Sequence, residues 1–287
     1  MLASFLITFR EALEAALIIG IIAAYVAKLG RKDLKRYIYA GIIGAVIAST
    51  AVAFVFKILY GELAGTAEQL FEGGAALAAA VVLTYMIFWM AANSKMIKGE
   101  VQKKIDLSIS KGEVLGVAAL SFIAVFREGV ETVLFLGTLA INDPFDTVIG
   151  FIFGVLAVVL LSLVIFKGTH SLDVTKFFKY TSILLILFSA GMIATAVGGF
   201  NEAGIIPPVV EHVWDLNPPL NPDGSYPLLH ENGLIGSSLE SLIGYHADPS
   251  LTMIIAYLGY WIIIGIFVYM KYRLPQEVEH GSRYPQD

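Results

Sequence analysis

The sequence predicts an all-α integral membrane protein with seven transmembrane helices. Three observations carry that prediction. The 287-residue chain is 57% hydrophobic and 15% charged, with mean hydropathy +0.76, whereas a soluble domain of this size carries about 25% charge. Seven runs are long enough to cross a bilayer, which takes about 20 mostly apolar residues; they lie at 3–27, 37–59, 68–92, 113–139, 145–166, 179–200 and 250–271. Finally, Lys and Arg alternate by side. The first connection carries Lys28, Arg31, Lys32, Lys35 and Arg36. The third carries Lys95, Lys98, Lys103, Lys104 and Lys111, the fifth Lys167, Lys176 and Lys179, and the tail Lys271, Arg273 and Arg283. The N-terminus and the second, fourth and sixth connections have none, and Lys57 near the end of span 2 can snorkel outward. The positive-inside rule then puts the N-terminus outside and the C-terminus in the cytoplasm. One polytopic domain over 1–287 in the cytoplasmic (plasma) membrane is expected, with the lipid bilayer as its surroundings and no nucleic acid partner.

Span 1 holds the first of two copies of a phrase. Residues 9–20 read FREALEAALIIG and residues 126–137, in span 4, read FREGVETVLFLG. Each copy buries one Arg and two Glu in an apolar run, although a charge at bilayer depth costs at least about 2.5–3.5 kcal/mol. At about 100° per residue, Arg10, Glu11 and Glu14 share a stripe about 100° wide, as do Arg127, Glu128 and Glu131. Arg10–Glu14 and Arg127–Glu131 are i,i+4 pairs, so each Arg is expected to hold one carboxylate and leave the other free. Three spans separate the copies, so they run in opposite directions. Inverted repeats of spans 1–3 and 4–6, with span 7 added, are expected. Both Glu pairs come out at about 12–18 Å depth from the outer ends, near one level.

The remaining stretches fit around these two. Span 3 opens on Glu68 and Glu72, one turn apart at the outer mouth, then Gly73-Gly74. These two acids read either as a capture point for cations or as ordinary helix N-terminal carboxylates. Farther along, Thr84, Tyr85, Trp89 and Met90 read as packing. The third connection resembles an amphipathic surface helix. Asn142-Asp143-Pro144 and Asp248-Pro249-Ser250 read as N-caps with Pro at or near the first helical position of spans 5 and 7. The segment 201–249 is the one long loop, extracytoplasmic, with seven of the ten Pro and seven acidic residues; this reads as a solvated face. Its apolar Trp214, Leu228, Leu229, Leu234, Ile235 and Ile243 call for burial, with a short helix at 234–243. Its three His, 212, 230 and 246, are too scattered to read as ligands. No cleavable leader is expected, because no basic stretch precedes the first apolar run and Arg10, Glu11 and Glu14 interrupt it.

The chain has no Cys, which excludes disulfides, zinc–thiolate sites and Cys nucleophiles. Four clustered carboxylates without Cys or His make an all-oxygen site suited to hard cations rather than Cu(I). Four Glu and two Arg leave about −2 on the empty site. A divalent ion would neutralise it and a trivalent one would leave about +1. A structural pair of salt bridges is the competing reading, and duplication with two Glu per copy argues against it. Another cation transporter, a proton-coupled exporter or an intramembrane carboxylate or metal enzyme also fits paired carboxylates. Against the enzyme, the spans offer neither His-Glu-x-x-His nor a Ser/His pair nor an Asp dyad.

Arg-Glu-x-x-Glu in spans 1 and 4 resembles the signature of the oxidase-dependent high-affinity iron permeases of fungal plasma membranes and of bacteria. The likeness covers essentially the whole chain. It takes in Arg10–Glu14, Arg127–Glu131, Glu68/Glu72-Gly-Gly, and Gly244-Tyr245 with Pro249-Ser250 before span 7. The resemblance implies a permease rather than an enzyme, importing iron as Fe3+ or Fe2+ with no cofactor. Ferric uptake linked to oxidation is the reading it favours. Glu11, Glu14, Glu128 and Glu131 are the ligands so implied. A separate extracytoplasmic oxidase or iron-delivery protein is the partner so implied. Arg10 and Arg127 are expected to orient the Glu until the metal displaces them.

Overall fold

The computed structural model describes residues 1–93, 96–110, 114–167, 174–217, 219–221, 226–231 and 233–281. They form long helices and, among the described residues, no strand. Helix α1 spans Leu2–Lys28 and, after a 3-10 turn at Lys32–Leu34, α2 spans Lys35–Gly61. Then come α3 (Thr66–Asn93), α4 (Ile97–Ser110), α5 (Val114–Asn142), α6 (Pro144–Lys167) and α7 (Val174–Glu202). The short α8 (Leu234–Ile243) and the long α9 (Leu251–Gly281) close the chain.

Each apolar run lies within a helix or begins one residue ahead of it, so spans 1–3 are α1–α3, spans 4–6 are α5–α7 and span 7 is α9. By length and composition, α2, α3, α6, α7 and α9 are able to cross a membrane. Helices α1 and α5 are as long, with 27 and 29 residues, but each carries the three charges of its motif. Their interior charge is what separates them from the other five.

Helix α1 rests on α6 and α5 rests on α2, so the first helix of each half lies against the second helix of the other half. Helix α3 packs on α7, and α9 packs on α7. Glycine permits the closest crossings: a β-carbon at Gly154 of α6 would stand 2.7 Å from the Thr8 β-carbon of α1. At Gly129 of α5 it would stand 2.7 Å from the Ser49 β-carbon of α2. Small residues at such crossings let backbones approach where lipid offers no hydrophobic drive.

Two apolar clusters bracket the charged turns of α1. Toward the N-terminal end of α1, Ile7 packs with Ala79, Ala80, Leu83, Phe135, Phe188 and Met192. Beyond the charged turns, Ile22 and Val26 pack with Leu34, Ile38, Ile105 and Val117. Helix α4 supplies Ile105 to the second cluster, and its Asp106 accepts a hydrogen bond from Tyr25 Oη at 2.7 Å. It thus caps the end of the bundle that carries the basic connections.

Two expectations need correction. Pro144 does open α6, but α9 is capped by Ser250, whose Oγ accepts the Met253 N–H at 3.2 Å. Asp248 instead holds His212 Nδ1 at 2.7 Å, tying the long loop to the start of α9. Within that loop Trp214, Leu228, Leu229 and Ile235 remain exposed. The segment is held by hydrogen bonds rather than by an apolar core. Val213 N–H donates to the Pro249 carbonyl at 3.1 Å and Leu216 N–H to the Ala247 carbonyl at 2.8 Å. Ala247 N–H donates to Glu231 Oε1 at 3.0 Å. The Leu234 side chain and residues 222–225, with Asp223, lie outside what the structure describes.

Candidate metal centre

The antiparallel motif turns of α1 and α5 meet in the bundle interior. Arg10, Glu11, Glu14 and Glu128 are buried, and Glu131 is mostly so. Glu11, Glu128 and Glu131 each offer a carboxylate oxygen, and these three atoms lie within 4.8 Å of one another. Glu14 stands beside them between the two arginines, 3.6 Å from Arg10 Nη2 and 3.2 Å from Arg127 Nη2. One oxygen of each of the four carboxylates, Oε2, is buried without a hydrogen-bond partner. Buried polar atoms are nearly always paired. The Glu14 oxygen faces Arg10 Nη2, and those of Glu11, Glu128 and Glu131 are a set of lone pairs that a cation would satisfy.

Both i,i+4 pairs are present, but neither is the closest contact of its Arg, and neither Arg leaves its second carboxylate free. Each Arg pairs most closely with the Glu that follows it: Arg10 Nη1 donates to Glu11 Oε1 at 2.5 Å, and Arg127 donates through Nε and Nη2 to Glu128 Oε1. The i,i+4 separations are longer, 3.6 Å in the first copy and 3.9 Å in the second. The reason lies in the second helix. Arg127 leans across to Glu14 of α1, so the charges balance between copies as well as within them.

The copies are alike in sequence and unlike in setting. The Arg10 side chain is 1% exposed and that of Arg127 41%. Helix α3 touches both. Met86 Sδ accepts from Arg10 Nη1 at 3.2 Å, and the Arg127 guanidinium carbon lies 5.4 Å from the centre of the Trp89 ring. Trp89 was expected to be packing only, and Met86 carried no signal in the sequence. A Met or Trp in an apolar helix looks the same whether it faces a neighbour or a guanidinium. Their i,i+3 spacing, which puts both on one side of α3, is a clue only once the Arg positions are known.

Glu68 and Glu72 are not part of this cluster. Glu68 Oε1 accepts from Tyr60 Oη at 3.1 Å. Glu72 lines a cavity of about 70 Å3 together with Asp143, Glu240, Ser4 and Thr138. The Ile7–Phe135 layer lies between that cavity and the motifs. A larger groove of about 800 Å3, mostly apolar, runs between α2 and α6 and reaches Glu11 and Glu128. Thr8 and Ser49 line it too, each with a buried hydroxyl oxygen lacking a partner.

The model of the iron permease FTR1 family matches residues 1–276. The chain belongs to the FTR1 iron permease family. Among relatives of this FTR1 chain, a protein of Archaeoglobus fulgidus named only as uncharacterized is 36% identical over 264 residues, 91% of each chain. The ferrous iron permease EfeU of Yersinia pestis is 33% identical over 276 residues, 95% of each. The EfeU of Escherichia coli O157:H7 is 31% identical over 278 residues, 96% of each. No solved structure matches. As an FTR1 permease the protein is a multi-pass membrane transporter of iron and not an enzyme.

Proposed function

We propose that the protein imports iron across the cytoplasmic membrane and holds the ion on Glu11, Glu128 and Glu131, with Glu14 joining once the arginines let go. The observation that carries this is the convergence of three carboxylate oxygens within 4.8 Å, from both copies of the motif. The orphaned Oε2 atoms support it. All seven long helices cross the bilayer in this reading, with the N-terminus outside and two inverted three-helix repeats. The exchange of contacts, α1 on α6 and α5 on α2, supports the repeat.

Ferrous iron is the ion we propose. Four carboxylates and two guanidinium groups leave about −2, which one Fe2+ cancels and one Fe3+ overshoots. Relatives carrying the name ferrous iron permease support the same choice. Glu72, with Asp143 and Glu240, would concentrate cations at the outer mouth, and Glu68 would stand at its rim. A separate extracytoplasmic protein would deliver the iron or set its oxidation state. On binding, the metal displaces Arg10 from Glu11 and Arg127 from Glu128, and the arginine charges help expel it again.

Uptake of radioactive iron into proteoliposomes tests this, with iron supplied as ferrous ion and as chelated ferric ion. Wild-type uptake from the ferrous form, lost by tenfold or so in Glu128→Gln and Glu131→Gln variants that still fold, is the expected result. Unchanged uptake in both variants would return the motifs to structural salt bridges. Uptake of the ferric form alone would put the oxidising partner at the centre of the mechanism.

A further inference from the structure

Helix α3 carries no motif, yet it supplies a second partner to each motif arginine. Met86 and Trp89 stand one turn apart on it. The first accepts from Arg10 at 3.2 Å and the second lies under Arg127 at 5.4 Å. Neither partner is an anion. A thioether sulfur is a weak acceptor, and an indole face attracts a guanidinium through its quadrupole without competing for a metal.

We propose that Met86 and Trp89 are positioning residues for transport, holding the two guanidinium groups when the incoming cation takes their carboxylates. This rests on the carboxylate site proposed above. A cation seated on Glu11, Glu128 and Glu131 removes the Arg10–Glu11 and Arg127–Glu128 pairs and leaves Glu14 as the one carboxylate between the two guanidinium groups. Without another resting place, two positive charges would share that single carboxylate beside a third. The sulfur and the ring provide one, and so stabilise the occupied site. The exposures assign the roles: Arg10, sealed at 1%, stays against Met86, and Arg127, at 41%, has room to leave its carboxylates and settle on the Trp89 ring it already faces.

The experiment measures ferrous ion binding by anaerobic equilibrium dialysis on the full-length protein in detergent, alongside uptake in proteoliposomes. The variants are Trp89→Leu, Trp89→Phe, Met86→Leu and Trp89→Leu in an Arg127→Gln background. Trp89→Leu should raise the half-saturating iron concentration roughly two- to tenfold, the range of a cation–π contact. Trp89→Phe, which keeps a π face, should recover most of that loss. Met86→Leu, of nearly equal volume, should also raise it. Once Arg127 is gone, Trp89→Leu should add nothing.

A packing role would instead lower the yield of folded protein or the maximal rate regardless of Arg127. An equal shift from Trp89→Leu in both backgrounds overturns the proposal, as does wild-type affinity in Trp89→Leu. Wild-type protein that binds iron without transporting it would sink the transport reading and still decide the arginine holders through the binding arm. Wild-type protein that neither binds nor transports iron would overturn both.

Discussion

Arg10 and Arg127 come from identical phrases, and the structure makes different residues of them. Arg10 is enclosed by α1, α3 and α5 and faces Glu11, Glu14 and Met86. Removing one partner of a buried pair leaves an uncompensated charge, at about 3–5 kcal/mol. Arg10→Gln is therefore expected to lower the thermal unfolding midpoint in detergent by several degrees. Arg127→Gln should cost much less, because its side chain is only partly enclosed by protein and leaves less buried charge uncompensated. Arg10→Lys should fail to match wild-type iron binding, since one ammonium cannot reproduce the fork that meets Glu11 through Nη1 and Glu14 through Nη2. Equal midpoints for the two Gln variants would mean that the two copies are equivalent after all. At this scale the sequence made the motif residues legible, because six charges in apolar runs demand a reason. It did not reveal the pairing, because an Arg side chain is long enough to choose between its own helix and the next.

Elements were more legible than their contacts. Each apolar run became a helix near the predicted bounds, because hydropathy and length decide that much. Which helix touches which depends on small residues such as Gly129 and Gly154, whose meaning appears only with the partner in place. Gly154→Val, which would push Thr8 and α1 away from α6, is expected to reduce folded yield and thermal stability and to perturb Glu11 one turn on. Unchanged stability would show that the crossing has slack. Helix α8 offers a pH test outside the spans. Burial, then the nearby Glu231 and Asp143 carboxylates, raise the Glu240 carboxyl to about 7, whereas an unfolded Glu titrates near about 4.3. The native state therefore binds more protons. Stability is highest at low pH, falls as pH rises through the window from about 4.3 to about 7, and stays lower above it. Glu240→Gln should flatten that slope and raise the unfolding midpoint at pH 8 relative to wild type. A wild-type slope that persists in Glu240→Gln would assign it to other groups.

For the whole molecule, the direction of transport depends on which end faces out. If the basic first, third and fifth connections lie in the cytoplasm, the Glu72–Asp143–Glu240 cavity opens to the outside and α4 covers the inner end. Iron would then meet dilute carboxylates first and the buried cluster second. The reverse orientation would make the same cavity an exit. The absence of Cys makes this directly measurable, since any introduced Cys is the sole thiol. Positions in connections or near helix ends, away from the motifs, are suitable: Glu62→Cys and Glu211→Cys on one side, Asp33→Cys and Glu100→Cys on the other. An impermeant thiol reagent applied to intact cells should label the first pair without lysis and the second pair only after it. The opposite pattern would invert the direction of transport read from the cavity. Mixed labelling within a pair would break the seven-span count and, with it, the antiparallel meeting of the two motifs. The positive-inside asymmetry supplies the expected direction: all fourteen Lys and Arg outside the motifs and the tail belong to the segments 28–36, 57, 95–111 and 167–179, and only Lys57 of these is expected toward the other face.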